Sequence, residues 1–63
     1  MVKALNKGDY FTTKAIAEPS ERQVWVRDFY DRSERKFWCY RFDDVNAGRY
    51  FRGDRAVFVE FTF

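Results

Sequence analysis

Aromatic and arginine side chains alternate in the centre of this chain, and that combination can bind nucleic acid. The sequence has eight Phe, four Tyr and two Trp among its 63 residues, together with twelve Lys or Arg. An exposed ring can stack on any base, worth about 1–3 kcal/mol per base, and arginine adds contacts to phosphate. The alternation is concentrated in segments 24–30 (VWVRDFY) and 36–42 (KFWCYRF). We therefore expect these two segments to supply a binding surface.

The candidate site combines rings and arginines of one sheet face with basic residues of the turn between the two segments. The turn residues would contact phosphates at the periphery. The same surface would also suit an extended peptide held in an aromatic groove. The structural alternative is that the rings pack in the core or beneath a loop. The candidate residues are Trp25, Arg27, Phe29, Phe37 and Arg41 on the face, and Arg32, Arg35 and Lys36 in the turn.

The pairing of the two segments decides which side chains share a face, because a shift of one residue exchanges the faces. If Asp31 pairs with Arg35, the five candidate residues assigned to the sheet face and Cys39 lie on the same face. The other face then carries the expected core, which comprises Val24, Val26, Trp38, Tyr40 and Phe42. If Asp31 instead pairs with Lys36, most of the large rings fall together and the functional argument weakens. We prefer the first register because it separates apolar from charged residues more cleanly.

The chemistry of the chain argues against an enzyme or a cofactor. The sequence lacks histidine, which is the commonest general base and metal ligand. Cys39 has no evident base nearby and is expected to be a small buried thiol, and structural zinc needs four ligands of the Cys or His type. Asp43 and Asp44 would point to opposite faces of a strand. We expect a non-enzymatic binding module without a metal.

Runs of aromatic and β-branched residues predict an all-β fold. Residues 43–48 are expected to form a turn or a single helical turn. Short strands at this spacing indicate a small SH3-like or OB-like barrel. At 63 residues there is room for one domain only, spanning 1–63. The five predicted strands are 9–16, 22–30, 35–44, 49–51 and 56–63.

Net charge and targeting signals define the expected setting and partners. The formal charge is only +2, but the acidic residues are clumped, so one face could be considerably more positive than the average. No signal peptide or membrane-spanning run is evident, and a lone cysteine fits a reducing compartment, so we expect a cytoplasmic protein without membrane contact. Expected partners are single-stranded DNA or RNA, or a host protein. Segment 56–63, if it forms an edge, could also pair with a second copy.

Several short segments together resemble a group of small uncharacterised proteins from bacteriophages and bacterial mobile elements of Bacteroides-type hosts. The resemblance covers nearly the whole chain, and its spacing is more distinctive than any single motif. It implies an accessory role, such as host takeover, replication support or counter-defence, and it transfers no site residues. The segments that carry it are 7–11 (KGDYF), 24–27 (VWVR), 30–32 (YDR), 42–46 (FDDVN), 53–54 (GD) and 57–63 (VFVEFTF).

Overall fold

Four antiparallel strands form one open sheet in the computed structural model, which describes residues 1–63. Strand order in the sheet follows chain order, so the first and last strands are its two edges. The all-β prediction is confirmed, whereas the five-stranded barrel is not. The elements are two 3-10 turns, Val2–Ala4 and Glu21–Gln23, and four strands, β1 (Tyr10–Phe11), β2 (Trp25–Asp31), β3 (Lys36–Arg41) and β4 (Asp44–Phe51).

The first predicted strand is much shorter in the structure than in the prediction, and the last, 56–63, does not form a strand. β1 has two residues, and the next residue, Thr12, pairs with Phe58 in an isolated bridge. The backbone N–H of Thr12 donates to the Phe58 carbonyl, and the backbone N–H of Phe58 donates to the Thr12 carbonyl, both at 2.9 Å. This bridge is the only ladder pairing within 56–63, so that segment is not the regular edge strand expected to recruit a second copy. The long exposed edge of the sheet is β4.

A large bulge interrupts the pairing of β3 with β4. Arg41 pairs with Asp44, but the preceding residue, Tyr40, pairs with Gly48, so three residues of β4 have no partner. The carboxylate of Asp44 accepts a hydrogen bond from the backbone N–H of Asn46 at 3.0 Å, which replaces part of the missing ladder. The turn or single helical turn predicted at 43–48 is therefore wrong for residues 44–48, which belong to this bulged strand, while Phe42 and Asp43 form a turn.

The central hairpin contains both of the registers considered from the sequence. Trp25 pairs with Arg41, as in the preferred register, whereas Asp31 pairs with Lys36, as in the alternative. A bulge at residues 28–29 absorbs the difference of one residue. Sequence patterning could not anticipate this change, because either uniform register is consistent with a simple alternation.

The main core lies on the sheet face that the sequence analysis expected to be exposed. This predicted assignment is wrong for Phe37, which is buried, whereas the expectation that Cys39 is a buried thiol is confirmed. The N-terminal 3-10 turn covers this face, and the Val2 N–H donates to the Arg55 carbonyl at 3.1 Å. Leu5 and Val57 also pack against the cluster. The buried cluster consists of Val2, Phe11, Phe37, Cys39 and Phe51.

The opposite face of the sheet is only half covered. Val24 and Val26, which were predicted to be in the core, are buried. The C-terminal Phe63 packs edge-to-face against other rings, with centroids 4.7–5.8 Å apart. The sheet therefore has apolar side chains on both faces, and only the face covered by the N-terminal turn carries a fully buried cluster. The half-buried or exposed rings of this second face are Tyr10, Trp38, Tyr40, Phe42 and Tyr50.

Candidate nucleic-acid interface

The predicted aromatic members of the site occupy three different environments. Phe37 is only 8% exposed and its ring packs in the core, so it has no free face for a base. Trp25 is half-buried and lies edge-to-face with Phe51, with centroids 5.1 Å apart. Phe29 is 46% exposed, in the β2 bulge. Of these three rings, Phe29 is the most exposed, whereas Trp25 is accessible only in part.

The predicted basic residues of the turn lie far from Trp25. Arg32 and Arg35 are exposed in the turn between β2 and β3, and Lys36 begins β3. Trp25 begins β2, which has seven residues, so the turn lies roughly 20 Å along the strand. The sequence grouped these residues because they are close in the chain, whereas the extended hairpin separates them.

Four arginines converge over the rings of the core face, and we call them the arginine cluster. The guanidinium carbon of Arg27 lies 4.4 Å from the Phe37 ring centroid. The other three lie over Trp25 or Phe51, at 4.7–5.7 Å from a ring centroid. A planar guanidinium can cover a ring while its edge stays hydrated, so arginine does not mark the solvent side here. The members of the cluster are Arg27, Arg41, Arg49 and Arg55.

Shared rings connect three members of the arginine cluster. Arg41 and Arg49 both lie 5.7 Å from the Trp25 ring, and Arg49 and Arg55 both lie over Phe51. Sequence reasoning missed Arg49 and Arg55. Arg49 pairs across the sheet with Cys39, so a correct pairing of β3 with β4 would have placed it on this face. Nothing in the sequence indicated that the chain after β4 returns Arg55 to the same place.

The arginine cluster has no acidic partner in the protein. The two salt bridges of the structure join Lys7 to Asp28 and Arg52 to Asp54, and neither includes a member of the cluster. One guanidinium nitrogen of Arg41 donates to a backbone carbonyl at 3.0 Å. The Nε atoms of Arg27 and Arg41 are buried without a hydrogen-bond partner. Concentrated positive charge without carboxylates provides a site for an external anion.

Two basic pockets adjoin the arginine cluster. One, of about 240 Å³, lies beside Trp25 and Arg41, and its other charged residues are Lys14 and Arg22. The second, of about 370 Å³, lies at the Arg55 end and contains further basic side chains together with Asp54. The first pocket has no acidic residue in its lining. The positive surface therefore continues beyond the four arginines.

The second sheet face carries a hydrogen bond that shifts two pKa values. The Tyr50 hydroxyl donates to the Asp31 carboxylate at 2.8 Å. This bond, helped by the backbone N–H groups of Glu34 and Ser33, lowers the pKa of the Asp31 carboxyl below its usual value. The same bond raises the pKa of the Tyr50 hydroxyl. The pair joins the end of β2 to β4 and thus contributes to the geometry of the sheet.

The Cys39 thiol is buried, and the acidic side chains do not form a cluster. Burial raises the pKa of the Cys39 thiol to about 11, which keeps it protonated at neutral pH. Its sulfur lies 3.8 Å from the Phe37 carbonyl, inside the core. No group of three or more Cys, Asp or Glu side chains converges as metal ligands would.

The chain matches no protein-family model, no curated protein and no solved structure. None of its helical segments has the length and apolar character needed to cross a membrane. Because a fold alone does not determine function, function has to be inferred from the chemistry of the arginine cluster and its surroundings.

Proposed function

We propose that this protein is a non-enzymatic accessory module that binds single-stranded nucleic acid through the arginine cluster. The observation that carries the proposal is that four guanidinium groups lie over the rings of one sheet face, three of them linked by shared rings, with no carboxylate in a salt bridge to them. Phosphate groups would supply the missing negative charge. Arginine suits this task because its planar fork donates two parallel hydrogen bonds to one phosphate.

The rings beneath the cluster have a supporting role in this proposal. Trp25 and Phe37 hold the guanidinium planes in place, and those planes can themselves stack on bases. Two exposed rings further along β2, Phe29 and Tyr30, offer direct stacking, and Tyr30 is anchored on Phe37 with centroids 4.9 Å apart. Arg32, Arg35 and Lys36 act as peripheral phosphate contacts.

Single strands are favoured over duplex by the shape of the protein. Reading the major groove usually requires an α-helix or a projecting two-stranded ribbon, and the helical segments of this chain are 3-10 turns of three residues each. A sheet face with rings and arginines is typical of single-strand binders. The bridge between Thr12 and Phe58 brings the C-terminal segment to β1, which supports the view that the sheet is a partly closed SH3-like or OB-like barrel. We further propose that the protein acts in the cytoplasm.

The proposal is tested by fluorescence anisotropy with labelled 12-nucleotide DNA and RNA strands. Arg49→Gln keeps part of the stem over the rings but removes the charge, and we expect it to weaken binding about tenfold, as for one charged hydrogen bond. Lys7→Gln is the matched control, because it also removes one positive charge but from an exposed residue outside the proposed contacts, and we expect less than a threefold change. Equal effects of the two variants would indicate attraction by net charge alone and would contradict a specific site.

A protein-interaction module is the second candidate function, and a separate groove favours it. The groove has a volume of about 540 Å³ and lies between residues 15–17 and 57–60, with apolar side chains on all but one of its lining positions. Such a groove could hold an extended segment of a host protein, as expected of an inhibitor or adaptor of a host complex. Binding there would depend little on salt, whereas phosphate-driven binding would weaken steeply.

A further inference from the structure

We propose that the pocket beside Trp25 and Arg41 binds one nucleotide of the strand, with its phosphate on the basic side chains and its base in the pocket. This inference rests on the proposed function and extends it from phosphate contact to recognition of an individual base. The pocket has a volume of about 240 Å³, which admits a single base.

The lining of this pocket combines the three kinds of group that a nucleotide requires. Positive charge for the phosphate comes from Lys14, Arg22 and Arg41, and no carboxylate competes for it. Trp25 contributes an apolar aromatic wall, held in place by Phe51 at a centroid distance of 5.1 Å. A site for inorganic phosphate alone would require only the positive charge and no aromatic wall.

Two neutral polar side chains complete the pocket. Gln23 has its side-chain oxygen occupied, because that oxygen accepts the Ser20 backbone N–H at 2.9 Å. The amide NH₂ of Gln23 therefore has a fixed orientation and can donate to an acceptor on a base. Thr13 adds a hydroxyl to the same lining. Hydrogen bonds of this kind to base edges are how proteins distinguish bases in single strands.

The other two pockets match a nucleotide less well. The pocket at the Arg55 end includes Asp54, whose negative charge opposes a phosphate and already pairs with Arg52 at 3.4 Å. The apolar groove at 57–60 has Glu60 as its only charged residue. Only the pocket beside Trp25 joins positive charge, an aromatic wall and free hydrogen-bonding groups.

The test uses the Trp38→Phe protein, in which Trp25 is the only tryptophan, so its fluorescence reports on the pocket. It is titrated with adenosine and uridine 5′-monophosphates and with inorganic phosphate. Gln23→Glu is then introduced, because Glu retains the oxygen that caps Ser20 but adds negative charge to the pocket. Ser33→Glu, in the distant turn, makes the same change of charge and serves as the control. Anisotropy with the 12-nucleotide strand is measured on all variants.

We expect saturable fluorescence changes with at least one nucleotide, and weaker or no change with inorganic phosphate. Gln23→Glu should weaken nucleotide binding about tenfold, since a repelling charge stands close to the phosphate, while Ser33→Glu changes it less than twofold. If the 12-mer binds but phosphate matches the nucleotides, or Gln23→Glu has no effect, the base pocket is refuted and the proposed function stands. If neither the 12-mer nor a nucleotide binds, both proposals are refuted.

Discussion

Replacing Phe37 with alanine tests whether the face predicted to bind ligands is the core. Phe37 is 8% exposed, and its ring packs against Tyr30 at 4.9 Å and beneath the Arg27 guanidinium at 4.4 Å. Removing a buried phenyl ring costs about 3–5 kcal/mol, because the transfer energy is lost and a cavity remains. A chain of 63 residues has a total stability of only roughly 3–9 kcal/mol. Phe37→Ala should therefore remove most of the stability of the fold.

Phe29→Ala is the matched control, since it deletes the same ring from the same hairpin at a position that is 46% exposed. We expect it to cost less than about 1 kcal/mol. Both variants are measured by urea denaturation followed by circular dichroism. With a slope of about 1 kcal/mol per molar urea for a small domain, Phe37→Ala should lower the midpoint by about 3 M or leave no folded baseline.

The opposite pattern would refute the reasoning. If Phe37→Ala remained folded with a midpoint close to that of Phe29→Ala, the Phe37 ring would not be part of the core. The face carrying Trp25 and Phe37 would then be exposed, as the sequence analysis expected, and the rings could stack directly on bases.

Three further predictions concern the opposite face and the buried thiol. The bond from Tyr50 lowers the pKa of the Asp31 carboxyl, so its stabilising effect is fully present above the usual carboxyl pKa of about 3.8 and is lost as the pH falls through the lowered folded pKa. Because the bond raises the pKa of Tyr50, the same effect is fully present below the usual tyrosine pKa of about 10 and is lost as the pH rises through the raised folded pKa. Tyr50→Phe should thus lower the thermal midpoint more at pH 7 than at pH 2; equal losses at both would contradict this. Cys39 should resist iodoacetamide in the native state at pH 8 and react in urea, because burial raises its pKa to about 11; rapid native reaction would show an open core. Gly48→Ala should reduce the free energy of unfolding by about 1–3 kcal/mol, since the new Cβ would lie 2.7 Å from the Trp38 indole Cε2. It should also alter the near-ultraviolet circular dichroism of Trp38, and an unchanged spectrum would contradict the close contact.

Sequence patterning predicts the fold class well and the sheet only in part. Aromatic and β-branched runs correctly indicated an all-β chain, and β2 and β3 lie within the predicted segments 22–30 and 35–44 to within one residue. The pattern could not predict the bulges at 28–29 and 45–47. A bulge changes which side chains share a face, but the amino-acid composition of the segment does not reveal it.

The candidate site shows why the exposed face was misassigned. The alternation of arginines with aromatic residues suggested a face exposed to solvent. Arg27 and Arg41 instead lie over aromatic rings, and their Nε atoms are buried. The covering of that face comes from the N-terminal residues Val2 and Leu5, which local pairing of the central hairpin cannot predict. Long-range packing therefore decided the core, while the association of arginine with aromatic residues was visible in the sequence.

The most direct test of the central claim is the salt dependence of binding to a single-stranded oligonucleotide. If the four members of the arginine cluster each neutralise one phosphate, they contribute about −2.8 to the slope of log K against log salt, so the affinity should fall at least about 50-fold between 50 and 200 mM. The Arg41→Gln, Arg49→Gln double variant should reduce the slope by about 1.4. A slope near zero, or a double variant with the wild-type slope, would contradict the claim that this cluster binds the phosphate backbone.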